Sequence, residues 1–335
     1  MAIPLVEVTR GPLVECTHRG DLAVVDSSGK LVAWAGDPDH LCYLRSATKP
    51  VQTLQVILSG AADRFGFSPA ELAIMCASHY GEPYHVAVVE SILHKIGLNG
   101  SHLRCGTAVS LSPDYALEYA RQGLALTPFL SDCSGKHAGM LAICMHRGWS
   151  LEDYVAPEHP LQRENLRIIA NLAEVPEASV MIGVDGCSVP VFGMPLRSMA
   201  LAYAKLAVPE RLPEPLRSAC RRVFDAMAAH PEMIAGTKGW CTELMRGTHG
   251  KLIGKLGAEG GYGVGVKQPG LGLALKFEDG GIRGIPPVIL KALQELGLLS
   301  AEEQTHFHAW QRRAVTNDLG WTVGEIRSVF TLQRA

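Results

Sequence analysis

The chain is 335 residues long, 47% hydrophobic and 19% charged, with a formal charge of −2. That length suits one large globular domain or two small ones, and a near-neutral charge without a basic cluster leaves no electrostatic footprint for nucleic acid. A small-molecule partner is expected.

The opening Met1-Ala2-Ile3-Pro4-Leu5-Val6-Glu7 has no basic flank or long apolar core, and no later stretch reaches the roughly 18 uninterrupted apolar residues of a membrane span. Neither secretion nor membrane insertion is expected. Nine cysteines, an odd set without a CxxC pair, fit a reducing cytoplasm better than a disulfide framework.

In chain order, Leu13 to Thr17 and Asp21 to Val25 carry extended patterns, and Ser27-Ser28-Gly29-Lys30 turns into Leu31-Val32-Ala33-Trp34, a β-hairpin. From about 41 to 248 the pattern is mostly helical. Start signals include Ser68-Pro69-Ala70-Glu71 and Ser112-Pro113, and helices are predicted over 84–96, 113–122, 136–147, 160–173, 195–207 and 213–229. Strands return at Lys251 to Leu256, Gly261 to Val266 and Leu271 to Phe277, followed by helices over 286–297 and after Ser300. The prediction is an α/β (α+β) fold in one continuous unit. Its antiparallel sheet comes from both ends of the chain, about 1–40 and 249–335, flanked by helices with a helical subdomain inserted over about 41–248.

The first chemical signal is Ser46-Ala47-Thr48-Lys49. Residues three apart at a helix start share a face, so the Lys49 amine can sit beside the Ser46 hydroxyl and take its proton. Pro50, then Val51, Leu54, Ile57 and Leu58 at helical spacing, put both in a first turn whose free backbone N–H groups suit an oxyanion. The same tetrapeptide also occurs as a helix cap with a solvated lysine. A free lysine titrates near ~10.4, so a working base needs a lowered pKa, and a second buried cation would supply it. Lys255 in Lys255-Leu256-Gly257 is the candidate. The surrounding Gly254, Gly257, Gly260, Gly261 and Gly263 mark close approach by a ligand or another backbone, which weighs against a solvent-facing strand lysine. This Lys-x-Gly resembles the strand lysine of penicillin-recognising serine hydrolases.

Ser78-His79-Tyr80-Gly81-Glu82 closes a predicted helix, either as an ordinary helix end or with Ser78 as a second hydroxyl that relays a proton or touches substrate. Asp132-Cys133-Ser134-Gly135-Lys136-His137 and Asp185-Gly186-Cys187-Ser188 each set a thiol beside a carboxylate. Cys133 and Cys187 are either zinc ligands or small buried residues. Gly135-Lys136 is no phosphate loop, because Leu130 stands where its first glycine belongs, and GxGxxG, GxSxG and HExxH are absent.

Taken together, Arg45-Ser46-Ala47-Thr48-Lys49-Pro50, Cys76-Ala77-Ser78-His79, Asp132 to Gly139, Asp185-Gly186-Cys187 and Gly257-Ala258-Glu259-Gly260 resemble the rhizobial-type, thermolabile L-asparaginases. The resemblance implies a fold akin to serine β-lactamases and glutaminases, a homodimer, and hydrolysis of L-asparagine to L-aspartate and ammonia. By position it implies two Ser–Lys tandems, Ser46 with Lys49 and Ser78 with Lys255. It also implies a zinc ion on Cys133, Lys136 and Cys187, and substrate contacts from Arg45, His79, Asp185, Gly257, Ala258 and Glu259. Where the family often has Gly-Thr-Gly-Arg-Phe-Cys, this chain has Gly236-Thr237-Lys238-Gly239-Trp240-Cys241.

The expected mechanism has neutral Lys49 accepting the Ser46 proton as Ser46 attacks the side-chain amide, with Ser78 and Lys255 passing a proton to ammonia; Ser78 is the alternative nucleophile, since both tandems have the needed groups. Two alternatives remain: a penicillin-recognising hydrolase or peptidase, which shares the serine–lysine logic, and a non-enzymatic zinc-binding protein, which would account for the cysteines alone.

Overall fold

A computed structural model describes residues 2–335. The described residues form twelve strands in two antiparallel sheets. They are β1 (Ile3–Arg10), β2 (Leu13–Asp26), β3 (Leu31–Ala35), β4 (Leu41–Tyr43), β5 (Met181–Val184), β6 (Pro190–Pro195), β7 (Leu252–Gly257), β8 (Gly261–Val266), β9 (Leu271–Phe277), β10 (Arg312–Thr316), β11 (Thr322–Ser328) and β12 (Gln333–Arg334). The larger sheet has nine strands, in the order β10-β11-β1-β2-β9-β8-β7, with β3 joining β2 to β12. Its seam is β2 against β9, paired from Gly20↔Phe277 to Asp26↔Leu271, so the two ends of the chain meet in one sheet as expected.

The predicted helices form at Pro83–Lys95, Pro113–Arg121, Ser134–Arg147, Pro160–Ala173, Leu196–Ala207 and Leu216–Ala229. Ser68 and Ser300 each make a complete capping box, with Glu71 and Glu303 returning the bond to the cap N–H at 2.7 Å in both cases. Three strands correct the helical reading of 41–248: β4, β6 and β5 form a small sheet there. These strands are short, and β5 is largely exposed, so hydrophobic period gave little signal. β1 and the β10–β11 ribbon lie within the expected sheet halves, about 1–40 and 249–335, at positions where no individual strand is predicted.

The glycine density of β7 to β9 has a packing cause. The helix Leu196–Ala207 lies directly on these strands: a Cβ at Gly272 would meet the Ala200 carbonyl oxygen at 1.8 Å, and one at Gly263 the Tyr203 ring at 2.1 Å. At the end of β7, a Cβ on Gly257 would meet the Leu44 carbonyl oxygen at 2.1 Å. Of the two readings offered for these glycines, close approach of another backbone holds here. That approach brings the end of β7 against the turn that carries Ser46.

Candidate active site

Arg45 adopts φ 45, and the turn Arg45–Thr48 that it opens is a 3-10 turn leading into the helix Lys49–Leu58, whose start Pro50 occupies. Tyr203 fastens this turn from the helix above, its hydroxyl donating to the Ala47 carbonyl at 2.6 Å. Ser46 is half-buried and lines a cavity of about 590 Å³; Lys49 is 1% exposed.

The expected Ser46–Lys49 hydrogen bond is not formed. Lys49 Nζ turns inward and donates to the Ala77 carbonyl at 2.7 Å, to Ser78 Oγ at 3.0 Å and to the Asp132 carbonyl at 3.3 Å, with Asp132 Oδ2 at 3.4 Å. A buried ammonium has three donors to satisfy, and these acceptors satisfy them where the pocket-facing Ser46 does not. Ser78 follows the helix Pro69–Met75, its N–H held by the Ile234 carbonyl at 3.2 Å. Lys255, fully buried on β7, donates to Ser78 Oγ at 2.8 Å. Both lysines therefore converge on one hydroxyl.

Their surroundings separate them. Burial opposes the charge of Lys49, yet the sulfurs of Cys133 and Cys187 and the Asp132 carboxylate overcome it and raise Lys49 above the ordinary lysine range. At Lys255 the raising neighbours Cys241, Asp132 and Cys133 do not overcome burial. Burial, joined by the positive charge of Lys49, lowers it from 10.5 to about 8. The shifts run opposite ways, Lys255 toward losing its proton and Lys49 toward keeping it, whereas the sequence reading expects Lys49 as the neutral base. Asp132, whose place beside Lys49 spacing does not disclose, is buried, yet the charge of Lys49 holds it below the usual carboxylate range.

Arg45, Ser46, Ser78, Cys133, Asp185, Cys187, Gly257, Ala258 and Glu259 all line the cavity. Arg45 reaches Asp185 Oδ1 through Nε at 2.7 Å and Nη2 at 2.6 Å, and its Nη1 lies 3.7 Å from Glu259. His79 is set apart from this group. It is 1% exposed, bonds Ser134 Oγ through Nε2 at 2.7 Å, accepts the Gly81 N–H at Nδ1 and stacks on His85, which leaves no ring nitrogen for substrate. Burial first, then the neighbouring His85, lowers its pKa to about 3. The variant loop at 236–241 is also elsewhere: Thr237 and Lys238 line a neighbouring cavity, with Thr237 Oγ1 donating to Glu82 at 2.6 Å.

The thiols of Cys133 and Cys187 and a carboxylate oxygen of Asp185 lie within 4.8 Å of one another, and Lys136 Nζ is 3.1 Å from Cys187 Sγ. Contact between the two sulfurs, helped by Lys136 and His137, lowers the Cys187 thiol against its burial and raises that of Cys133, so the pair shares one negative charge. The Tyr154 hydroxyl accepts the Arg104 N–H at 2.9 Å and lies 2.7 Å from His137 Nδ1, while the buried His137 Nε2 has no hydrogen-bond partner. Two sulfurs, a carboxylate and an amine form a donor set that fits zinc.

A sequence model of the family described as L-asparaginase II matches residues 6–328. The chain belongs to that family. Among curated proteins none matches the chain. Solved structures show distant likenesses. A β-lactamase from Mycobacterium bovis is 15% identical, with 84% of this chain and 95% of that chain covered and a TM-score of 0.44. A putative β-lactamase from Bacteroides dorei is 15% identical over 79% and 86%, TM-score 0.45. The protein Mglu is 15% identical with a TM-score of 0.43, and the match spans 84% of this chain but 62% of Mglu. Among the described residues no helix is long and apolar enough to cross a membrane, and all nine cysteines are free.

Proposed function

We propose that this member of the L-asparaginase II family is an amidohydrolase that cleaves L-asparagine to L-aspartate and ammonia through an acyl-enzyme on a serine. The observation that carries the reading is Ser78 Oγ held between Lys255 and Lys49 in the wall of the cavity that Ser46 also lines. Ser46 attacks the side-chain amide carbon, and its proton leaves by way of Ser78 to neutral Lys255. Lys49, held protonated, stabilises negative charge beside the reacting groups. On collapse of the tetrahedral intermediate, protonated Lys255 returns the proton through Ser78 to the departing ammonia, and water then hydrolyses the β-aspartyl ester by the same route.

Arg45 faces the α-carboxylate, and Asp185 and Glu259 the α-ammonium. This opposed pair of charges suits a free amino acid, whereas a penicillin-type substrate carries no such ammonium–carboxylate pair beside the cleaved bond. Zinc, held by Cys133, Cys187 and Lys136 beside Asp185, would supply a positive charge at this edge of the cavity. The reading extends to a homodimer in the cytoplasm.

A second reading makes Ser78 itself the nucleophile, favoured by its 2.8 Å and 3.0 Å contacts with the two lysines. Quenching turnover of L-asparagine with acid and digesting the protein separates them by mass. An aspartyl adduct on the Ser46 peptide supports the first reading, one on the Ser78 peptide the second. Ammonia release without any adduct, in a variant slowed at deacylation, would sink both. Failure to release ammonia from L-asparagine, with turnover of nitrocefin, would replace the substrate assignment altogether.

A further inference from the structure

We propose that His18 is a positioning residue for this site: it clamps the loop 279–283, whose Gly280 and Ile282 form part of the wall of the Ser46–Ser78 cavity. The link to catalysis rests on the amidohydrolase reading above; the clamp itself does not. His18 lies on β2, is 5% exposed and is not among the residues lining the cavity. Arg283 Nε is 2.8 Å from His18 Nε2, and a guanidinium can only donate, so Nε2 must be the lone-pair acceptor. The proton of the ring then sits on Nδ1, 2.5 Å from Asp279 Oδ2, and donates to that carboxylate. One rigid imidazole thereby holds both ends of the loop, offering an acceptor at one nitrogen and a donor at the other.

Packing makes the clamp tight. A Cβ at Gly281 would meet the His18 ring at 2.9 Å, the Gly281 N–H donates to Asp279 Oδ1 at 2.9 Å, and the ring rests on Phe277 at a centroid distance of 5.8 Å. The loop in turn backs the turn after β7. A Cβ at Gly280 would meet Glu259 Oε2 at 2.5 Å, and one at Gly260 would meet the Gly280 carbonyl carbon at 3.2 Å. Glu259 is the residue facing Arg45 across the cavity mouth. Release of the loop therefore frees Glu259 and widens the substrate end of the cavity while leaving Ser78, Lys49 and Lys255 in place.

The test compares the full-length protein with His18→Phe, which keeps a ring against Phe277 and removes both polar contacts, and with Arg283→Met and the double variant. Hydrogen exchange is read over 278–284 and 257–260, beside melting temperature and kinetics on L-asparagine. The expected result is faster exchange confined to those two segments, with KM raised about tenfold and kcat within about twofold, the split produced by lost ground-state positioning. Because both residues act through one clamp, the double variant should be no worse than either single one. Unchanged exchange overturns the clamp. Faster exchange with unchanged KM overturns its link to the site, and a fall in melting temperature with kcat and KM disturbed together would show a merely structural role. Should His18→Phe fail to fold, Arg283→Met reports on the same contact. A wild type inactive on L-asparagine defeats the reading of the reaction, and exchange over 278–284 then decides the clamp by itself.

Discussion

Lys255 Nζ lies 2.8 Å from Ser78 Oγ, and Lys49 Nζ approaches the same oxygen at 3.0 Å. A hydroxyl between two buried amines of unequal basicity is a directional proton path: the amine held charged by thiolate and carboxylate neighbours stays a donor, and the other can accept. The charge of one lysine thus tunes the other.

The pH–rate profile should follow from this. Lys255 works deprotonated and its pKa is lowered to about 8, so kcat/KM should rise as pH increases through about 8 and level off above it. Lys255→Met, which retains the aliphatic stem, should lower kcat by roughly 10²–10⁴-fold. A profile flat from pH 6 to 9 with chemistry rate-limiting would remove Lys255 from the role of base.

Lys49→Met should move that rise to higher pH in whatever activity remains. The positive charge of Lys49 lowers Lys255, so its removal lets the Lys255 pKa climb toward the ordinary lysine value. A pH midpoint that stays put or falls, measured on the residual activity, contradicts the coupling.

Arg45→Lys keeps the charge but loses the planar pair of contacts to Asp185 at 2.6 and 2.7 Å. KM for L-asparagine should rise roughly tenfold while kcat changes little, as when binding shared by ground and transition states is lost. Equal losses in kcat and kcat/KM would instead place Arg45 in the chemistry.

The metal site gives a readout apart from turnover. Protein prepared without chelators should carry close to one zinc per chain, and Cys187→Ser or Lys136→Met should strip it. Affinity should weaken steeply as pH falls, because the ligands must surrender protons to bind the ion. Elemental analysis that finds no zinc at pH 8, with Cys133→Ser and Cys187→Ser kinetically silent, would leave both cysteines as core residues.

Gly272→Ala probes the packing beneath the site. Its Cβ would meet the Ala200 carbonyl oxygen at 1.8 Å, a backbone atom that cannot rotate away, so the variant should lose roughly 1–3 kcal/mol or more of stability. Because the same helix carries Tyr203 onto the Ser46 turn, activity should fall together with the melting temperature. A variant that melts unchanged would mean the helix shifts freely on the sheet.

The sequence by itself determined the pieces whose signals are local. Capping boxes at Ser68 and Ser300, helical period, and strands flanked by glycine and proline placed most helices and β7 to β9 within a few residues. The polar blocks at 45–49, 132–137, 185–187 and 257–259 pointed to one site, and the cavity does gather residues from each. Only the tertiary structure decided what those residues do to one another. Spacing along a turn paired Ser46 with Lys49, but desolvation sends the lysine inward to carbonyls and Ser78, contacts made across 28 and 29 positions. Which lysine stays charged depends on sulfurs and a carboxylate brought in from other loops. His79 reads as a pocket residue from its neighbours in sequence, yet Ser134 and Gly81 consume both its nitrogens. His18 carried no signal at all, because its partners lie 261 and 265 positions away and a lone histidine on a strand gains a role only when the sheet closes over the loop it holds.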